Sequence, residues 1–285
     1  MLPVILGLSG PRLTDEERAL FSDYPLSGVI LFARNIEEPA QLADLIASVR
    51  AVLPDGKMMV DQEGGRVARL RPPCWAAVPA AASLTTQEAA FAHGLALGTM
   101  CREAGFDVVA APVLDLRVPG ADEVIGDRAI GGDARVVAAL GGKIGEGILA
   151  AGCIPVMKHL PGHGRAVVDS HHALPRIAAA DLSEDFYPFA QNAHLPWAMT
   201  AHIVYEALDA ENPATLSRIV IREVIRGEIG FAGTLVSDDL AMNALTGAPE
   251  ARVMAALAAG CDLALYCSGV FADNAAILRA VQKHG

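Results

Sequence analysis

Apolar and polar positions along this chain follow two rhythms that alternate from one end to the other. Apolar runs of four to six residues fall at 4–8, 28–32, 57–60, 107–111, 154–159, 197–202, 233–237 and 261–266. Runs this short, bounded by Gly, Pro or charged residues, predict strands buried on both faces. Between them lie longer stretches with the three-to-four-residue spacing of an amphipathic helix. One opens at Thr14, and the others cover 39–53, 87–104, 133–151, 181–193, 216–228, 249–259 and 272–283. The first carries Asp15, Glu16 and Glu17 in its opening turn, where the helix dipole favours acid. Eight strand–helix pairs in strict alternation predict parallel strands joined by right-handed crossovers. The expected fold class is therefore α/β, a single (β/α)8 TIM-type barrel. No linker, internal repeat or low-complexity tract interrupts the pattern, so residues 1–285 are expected to form one catalytic barrel domain.

Composition narrows the possible partners. The formal net charge is -11 and the basic residues are scattered, which excludes nucleic acid as an expected partner, since phosphate neutralisation needs a clustered basic surface. Five cysteines, an odd number with no C-x-x-C pair, read as reduced buried thiols of a cytoplasmic protein. The apolar N-terminus, residues 1–10, lacks a basic flank and is too short to span a bilayer, so it reads as the first strand. No membrane association is expected, and a monomer or weak dimer is.

Ionisable residues gather at the ends of the apolar runs. Asp61 ends the third, Asp115 follows the fourth, Lys158 and His159 end the fifth, His202 the sixth and Asp238 the seventh. In a parallel barrel these ends converge on one face, where buried charge is costly unless it is paired or in use. A shared ligand site explains the set. Taken singly, Asp61 and Asp115 could cap turns, Lys158 could be a structural ion-pair partner and His202 a satisfied core histidine. Ser237-Asp238-Asp239 could cap a helix. Adjacent strand residues face opposite sides, so only one of Asp238 and Asp239 can point into the mouth.

The densest cluster of chemistry is Lys158-His159-Leu160-Pro161-Gly162-His163-Gly164-Arg165-Ala166-Val167-Val168-Asp169-Ser170-His171. Gly162 and Gly164 are expected to let the 160–172 loop swing. His159, His163, His171 and His172 beside Asp169 invite a zinc reading, but their spacing matches no zinc pattern, and no Walker lysine follows the glycines. Neither a metal nor a cofactor is expected.

The pattern K-H-x-P-G-H-G-x(4)-D-S-H resembles the signature of glycoside hydrolase family 3, in its β-N-acetylglucosaminidase branch, which acts in bacterial cell-wall recycling. The segments 60–69, 111–116, 125–129 and 236–240 are also similar to that family and occur in its order, so the likeness runs from residue 3 to about 267. The chain stops soon after the eighth strand, where many relatives continue, and Arg165 and the doubled His171-His172 are local variations.

The resemblance implies Asp61, Arg69, Arg128, Lys158 and His159 as sugar contacts, Asp169 and His171 as a catalytic dyad, and Asp238 as nucleophile. It implies a retaining exo-glycosidase acting on a small carbohydrate, terminal β-linked N-acetylglucosamine on muropeptide fragments. Because a histidine acid carries no negative charge after donating its proton, phosphate could replace water. A phosphorylase, a broader β-glycosidase and a sugar-binding barrel without catalysis thus remain alternatives.

Overall fold

The computed structural model describes residues 1–168 and 174–284. Its strands are β1 (Leu2–Gly7), β2 (Leu26–Leu31), β3 (Lys57–Val60), β4 (Val108–Val109), β5 (Ile154–Leu160), β6 (Arg176–Ile177), β7 (Trp197–Thr200), β8 (Val204–Tyr205), β9 (Thr234–Val236) and β10 (Ala264–Tyr266). Eight of them pair in the order β10-β1-β2-β3-β4-β5-β7-β9, every neighbour parallel. A parallel bridge from Val236 to Leu263 brings β9 against the start of β10 and closes the ring. Each expected apolar run supplies one barrel strand.

Helices α1 (Asp15–Asp23), α2 (Pro39–Val52), α3 (Gln87–Glu103), α4 (Ala134–Ala150), α5 (Ser183–Gln191), α6 (Pro249–Ala259) and α7 (Phe271–His284) alternate with these strands, with a π-helix at Val220–Glu228. The start of α1 shows how local chemistry sets a boundary. Thr14 Oγ1 accepts from the Glu17 amide at 3.1 Å, and Glu17 Oε2 accepts from the Thr14 amide at 3.0 Å. Glu17 Oε1 also accepts from the Ser9 amide at 3.0 Å, so this buried carboxylate ties the β1 loop to the helix.

The alternation of side chains across each strand divides the core in two. Ile5, Ile30, Met59, Val108, Val156, Met199, Val236 and Leu265, one from each barrel strand, form a cluster inside the barrel. Their neighbours Val4, Leu6, Val29, Leu31, Met58, Val60, Val109, Met157, Ala198, Leu235 and Ala264 face outward into the larger core beneath the helices. A barrel packs its interior in layers of this kind.

Three features differ from the sequence reading. A short parallel ladder of β6 with β8 lies outside the barrel; two residues per strand leave too little periodicity to read. The helix expected at 216–228 is widened, with the Ile229 amide bonding Val224 O at 2.8 Å, five residues back. The sixth barrel strand ends at Thr200, leaving His202 beyond it. Among the described residues, no helix is long and apolar enough to cross a membrane.

Helices α3 and α4 cross at glycines. A Cβ on Gly94 would lie 2.1 Å from Ile144 O, and one on Gly147 would lie 2.3 Å from Phe91 O. A Gly94→Ala substitution should therefore force the helices apart and cost about 1–3 kcal/mol. Thermal unfolding should show the loss while kcat at 20–25 °C stays near that of the parent; an unshifted Tm would contradict the close approach.

Candidate active site

Moving two residues along a strand from the inner core layer leads to the same face one layer higher. From Ile30 it leads to Phe32, from Met59 to Asp61, from Val156 to Lys158, from Val236 to Asp238 and from Leu265 to Cys267. All five of these residues line one pocket at the C-terminal end of the barrel, together with Arg69, Arg128, His159 and His163. The period of two that packs the core thus also aims the polar residues.

The charges are arranged to neutralise one another. Lys158 Nζ lies 2.9 Å from Asp61 Oδ1 and 2.6 Å from Glu63 Oε1, with only 3% of its side chain exposed. Arg69 reaches Asp61 Oδ2 at 3.2 Å, and Arg128 grips Glu63 through two bonds of 2.8 and 2.9 Å. Burial alone would raise the Asp61 carboxyl, yet the Lys158 and Arg69 cations pull it well below the usual carboxylate range. Glu63 is shifted down in the same sense against its burial, chiefly by Arg128 and Lys158. Burial would discharge Lys158, but Asp61 and Glu63 hold it charged.

A second cluster forms around the next residue of β5, His159. Asp115, fully buried, accepts from His159 Nδ1 at 2.6 Å and from the backbone amides of His159 and His163 at 3.2 and 2.7 Å. Burial opposes ionisation, but the His159 ring and these donors hold the Asp115 carboxyl down at about 2. Asp115 therefore orients the His159 ring and anchors the chain beyond it. Burial pushes the His163 ring down to about 4, so it stands neutral at physiological pH.

Contrary to the strand-alternation expectation, Asp238 and Asp239 both line the pocket, because β9 ends at Val236 and the two acids lie beyond it; they differ in what their carboxylates bond. Asp239 Oδ1 accepts from the Ala241 amide at 2.8 Å and the Cys267 amide at 2.9 Å, and Ser237 Oγ accepts from the Leu265 amide at 2.9 Å. Ser237 and Asp239 thus continue the β9–β10 seam with side-chain oxygens where carbonyls would otherwise serve. No helix begins there, so the helix-cap reading fails. Asp238 presents its carboxylate to the pocket; burial would raise it, but His202, His159, the Asp239 amide and Lys158 draw it below the ordinary range. Burial raises the Asp239 carboxyl.

The structure brings together Asp61, Arg69, Arg128, Lys158, His159 and Asp238. Asp169 and His171 lie outside the described residues. His202 is the satisfied core histidine, with Nδ1 2.8 Å from Thr215 Oγ1 and Nε2 2.9 Å from Asp239 O. Lys158 is an ion-pair partner and a pocket residue at once. Glu63, Phe32 and Cys267 were missed. The i+2 relation to Asp61, Ile30 and Leu265 was the available signal for each.

The glycine hinges need correction. A Cβ on Gly164 would lie 2.0 Å from Leu116 O, and Gly162 O accepts from the buried Tyr205 hydroxyl at 2.8 Å. Arg165 pairs with Asp185 at 2.7 Å and Ala166 O accepts from the Asp122 amide at 2.8 Å. These glycines serve close packing, and residues 162–166 are anchored.

Lys158→Met removes the cation shared by the buried Glu63 and the half-buried Asp61 and should cost about 3–5 kcal/mol in urea unfolding; a loss under about 1 kcal/mol would mean the pairs are exposed in solution. Asp115 titrates at about 2 when folded against 3.8 ordinarily. The unfolded chain therefore takes up this proton first as pH falls, and the stabilisation, whole above roughly pH 4, is lost between about 4 and 2. Asp115→Asn should be less stable at neutral pH, and the gap to the parent should narrow across that window in acid-unfolding measurements.

Comparison with known proteins supplies the context for this pocket. The family description "Glycosyl hydrolase family 3 N terminal domain" matches residues 3–285. A β-hexosaminidase of Pseudomonas aeruginosa is 41% identical over 276 residues, which covers 93% of this chain and 82% of the relative. The Neisseria gonorrhoeae NagZ structure in complex with N-trifluoroacetyl-D-glucosamine superposes with a TM-score of 0.86 at 31% identity, covering 98% of this chain and 89% of that one. A family 3 β-N-acetylglucosaminidase from a Paenibacillus species gives a TM-score of 0.93 at 34% identity over 99% of this chain, which spans 56% of that longer protein. With sequence, barrel and polar mouth in agreement over nearly all of its length, the chain belongs to glycosyl hydrolase family 3 and is a glycoside hydrolase.

Proposed function

We propose that this glycoside hydrolase is a retaining exo-β-N-acetylglucosaminidase that removes terminal N-acetylglucosamine from peptidoglycan fragments in the cytoplasm. The observation that carries the reading is the division of labour at the tip of β9. Both acids line the pocket, but Asp238 is held as a carboxylate, while one Asp239 oxygen is tied to two backbone amides and burial raises its carboxyl. A nucleophile must be ionised and aimed, and Asp238 meets both conditions. The names of the relatives support the hexosaminide: the Pseudomonas aeruginosa protein is a β-hexosaminidase, and the gonococcal NagZ holds an N-acylated glucosamine.

In the proposed reaction the charged and polar side chains around Asp61, Arg69, Arg128, Lys158 and His159 hold the sugar hydroxyls. The Asp238 carboxylate attacks the anomeric carbon as its bond to the glycosidic oxygen breaks, and that oxygen takes the proton of His171. Water then attacks the same carbon, gives its proton to His171 and releases Asp238, so configuration is retained. Asp169 keeps the His171 ring oriented and favours its cationic form.

Asp238→Ala should lose essentially all turnover of an aryl β-N-acetylglucosaminide with an unchanged circular dichroism spectrum. A 2-fluoro sugar should leave its adduct on the peptide carrying Asp238. His171→Ala should slow substrates with poor leaving groups by about 10²–10⁴-fold and good ones far less, because only the former need an acid. Equal losses on both would remove His171 from the acid role. Faster turnover in phosphate with release of sugar-1-phosphate would replace hydrolysis by phosphorolysis.

A further inference from the structure

Beneath Asp238 lies a set of polar side chains that does not reach the pocket. Thr200 at the end of β7, His202 just beyond it and Thr215 in the turn Ala214–Leu216 are all fully buried. Their contacts form one chain. Thr200 Oγ1 accepts from the Asp238 amide at 3.2 Å and lies 2.8 Å from Thr215 Oγ1. Thr215 Oγ1 lies 2.8 Å from His202 Nδ1 and 3.0 Å from Ala201 O, and His202 Nε2 lies 2.9 Å from Asp239 O.

Counting protons fixes most of the directions. A carbonyl only accepts, so His202 Nε2 donates to Asp239 O. If the ring is neutral, Nδ1 accepts the Thr215 proton. If the ring is charged, Nδ1 donates to Thr215 Oγ1 and the Thr215 proton turns to Ala201 O. In both cases the Thr215 oxygen can accept from the Thr200 hydroxyl, leaving a Thr200 lone pair for the Asp238 amide. The Thr215 hydroxyl thus serves two arms. One ends at the N–H of Asp238 and the other at the C=O of Asp239, bracketing the backbone that aims the Asp238 carboxylate.

We propose that Thr215 is a positioning residue for the Asp238 carboxylate, its hydroxyl joining Thr200 and His202 into a clamp on the Asp238-Asp239 backbone. This rests on the reading of Asp238 as nucleophile. Asp238 lies two residues past the end of β9, where Ser237 and Asp239 bond to β10 on one side. The clamp holds the same backbone from the β7 side, so the angle of the Asp238 carboxylate is fixed from both neighbours. A hydroxyl with three polar neighbours in a fully buried layer supplies the support from the β7 side.

The test compares Thr215→Val, which keeps the shape and removes the hydroxyl, with Thr215→Ser, which keeps the hydroxyl. The Val variant should lose on the order of 10- to 100-fold in kcat on an aryl β-N-acetylglucosaminide with KM within about twofold, since misaiming costs rate more than binding. Formation of the 2-fluoroglycosyl adduct should slow by the same factor, and the Ser variant should recover most of the rate. Thr200→Val cuts the arm to the Asp238 amide and should lose rate in the same manner, serving in place of Thr215→Val if that variant does not fold. Adduct mapping separates the two ideas. An adduct on Asp238 that forms at the parental rate in both Val variants overturns the clamp and leaves the nucleophile in place. An adduct on another residue overturns the nucleophile and the clamp with it. Equal kcat losses in Thr215→Val and Thr215→Ser, following only a fall in Tm, would also overturn the clamp, because the role would then be packing.

Discussion

A buried ammonium can stay charged only where anions replace the water it has lost, and Lys158 is placed between two of them. Asp61 and Glu63 approach its Nζ at 2.9 and 2.6 Å, and Arg69 and Arg128 occupy their remaining oxygens. Each charge is tolerable only because the others are present. Removing one partner leaves a buried carboxylate or ammonium uncompensated, which is much more costly than exchanging the whole group for an apolar core. The mouth of the barrel is therefore a rigid, mutually dependent lattice of donors and acceptors. Such a lattice suits a sugar, whose hydroxyls need oriented partners on every side.

The barrel makes that lattice possible at little cost in architecture. Inside it, Ile30, Met59, Val156, Val236 and Leu265 form a dry layer, and the residues two positions further along each strand form the pocket. The apolar layer seals the floor and lowers the local dielectric, which strengthens the pairs above it. Past the end of β9, Ser237 and Asp239 continue the hydrogen bonding to β10 with side-chain oxygens. Asp238 and Asp239 both reach the pocket wall, yet they acquire unlike duties, because Asp239 is bonded to the Ala241 and Cys267 amides.

Asp115 shows a further economy of parts. Its carboxylate orients the His159 ring and holds the His163 amide, so one buried acid both shapes the pocket wall and fixes the start of the loop leaving β5. With Tyr205, Arg165–Asp185 and the Gly164 contact it keeps residues 162–166 in place.

The sequence alone determined a good deal. Eight apolar runs in alternation with amphipathic helices pointed to a parallel sheet of eight strands and hence a barrel, because both rhythms are local and can be read residue by residue. Strand-end positions placed Asp61, Lys158, His159 and Asp238 at one mouth, but the period of two misjudged Asp239, which lines it as well because β9 ends at Val236. What the tertiary structure decided were relations between distant segments. Glu63, beyond β3, joins Lys158 on β5 to Arg128 in the turn Gly126–Arg128, and Thr215 meets Thr200 and His202 from a turn. Gly162 and Gly164, flexible by composition, are held by Asp185, Tyr205 and Leu116. A glycine's freedom and a histidine's role depend on which atoms come within about 3 Å, and that distance is set by the packing of remote parts of the chain, which no local pattern encodes.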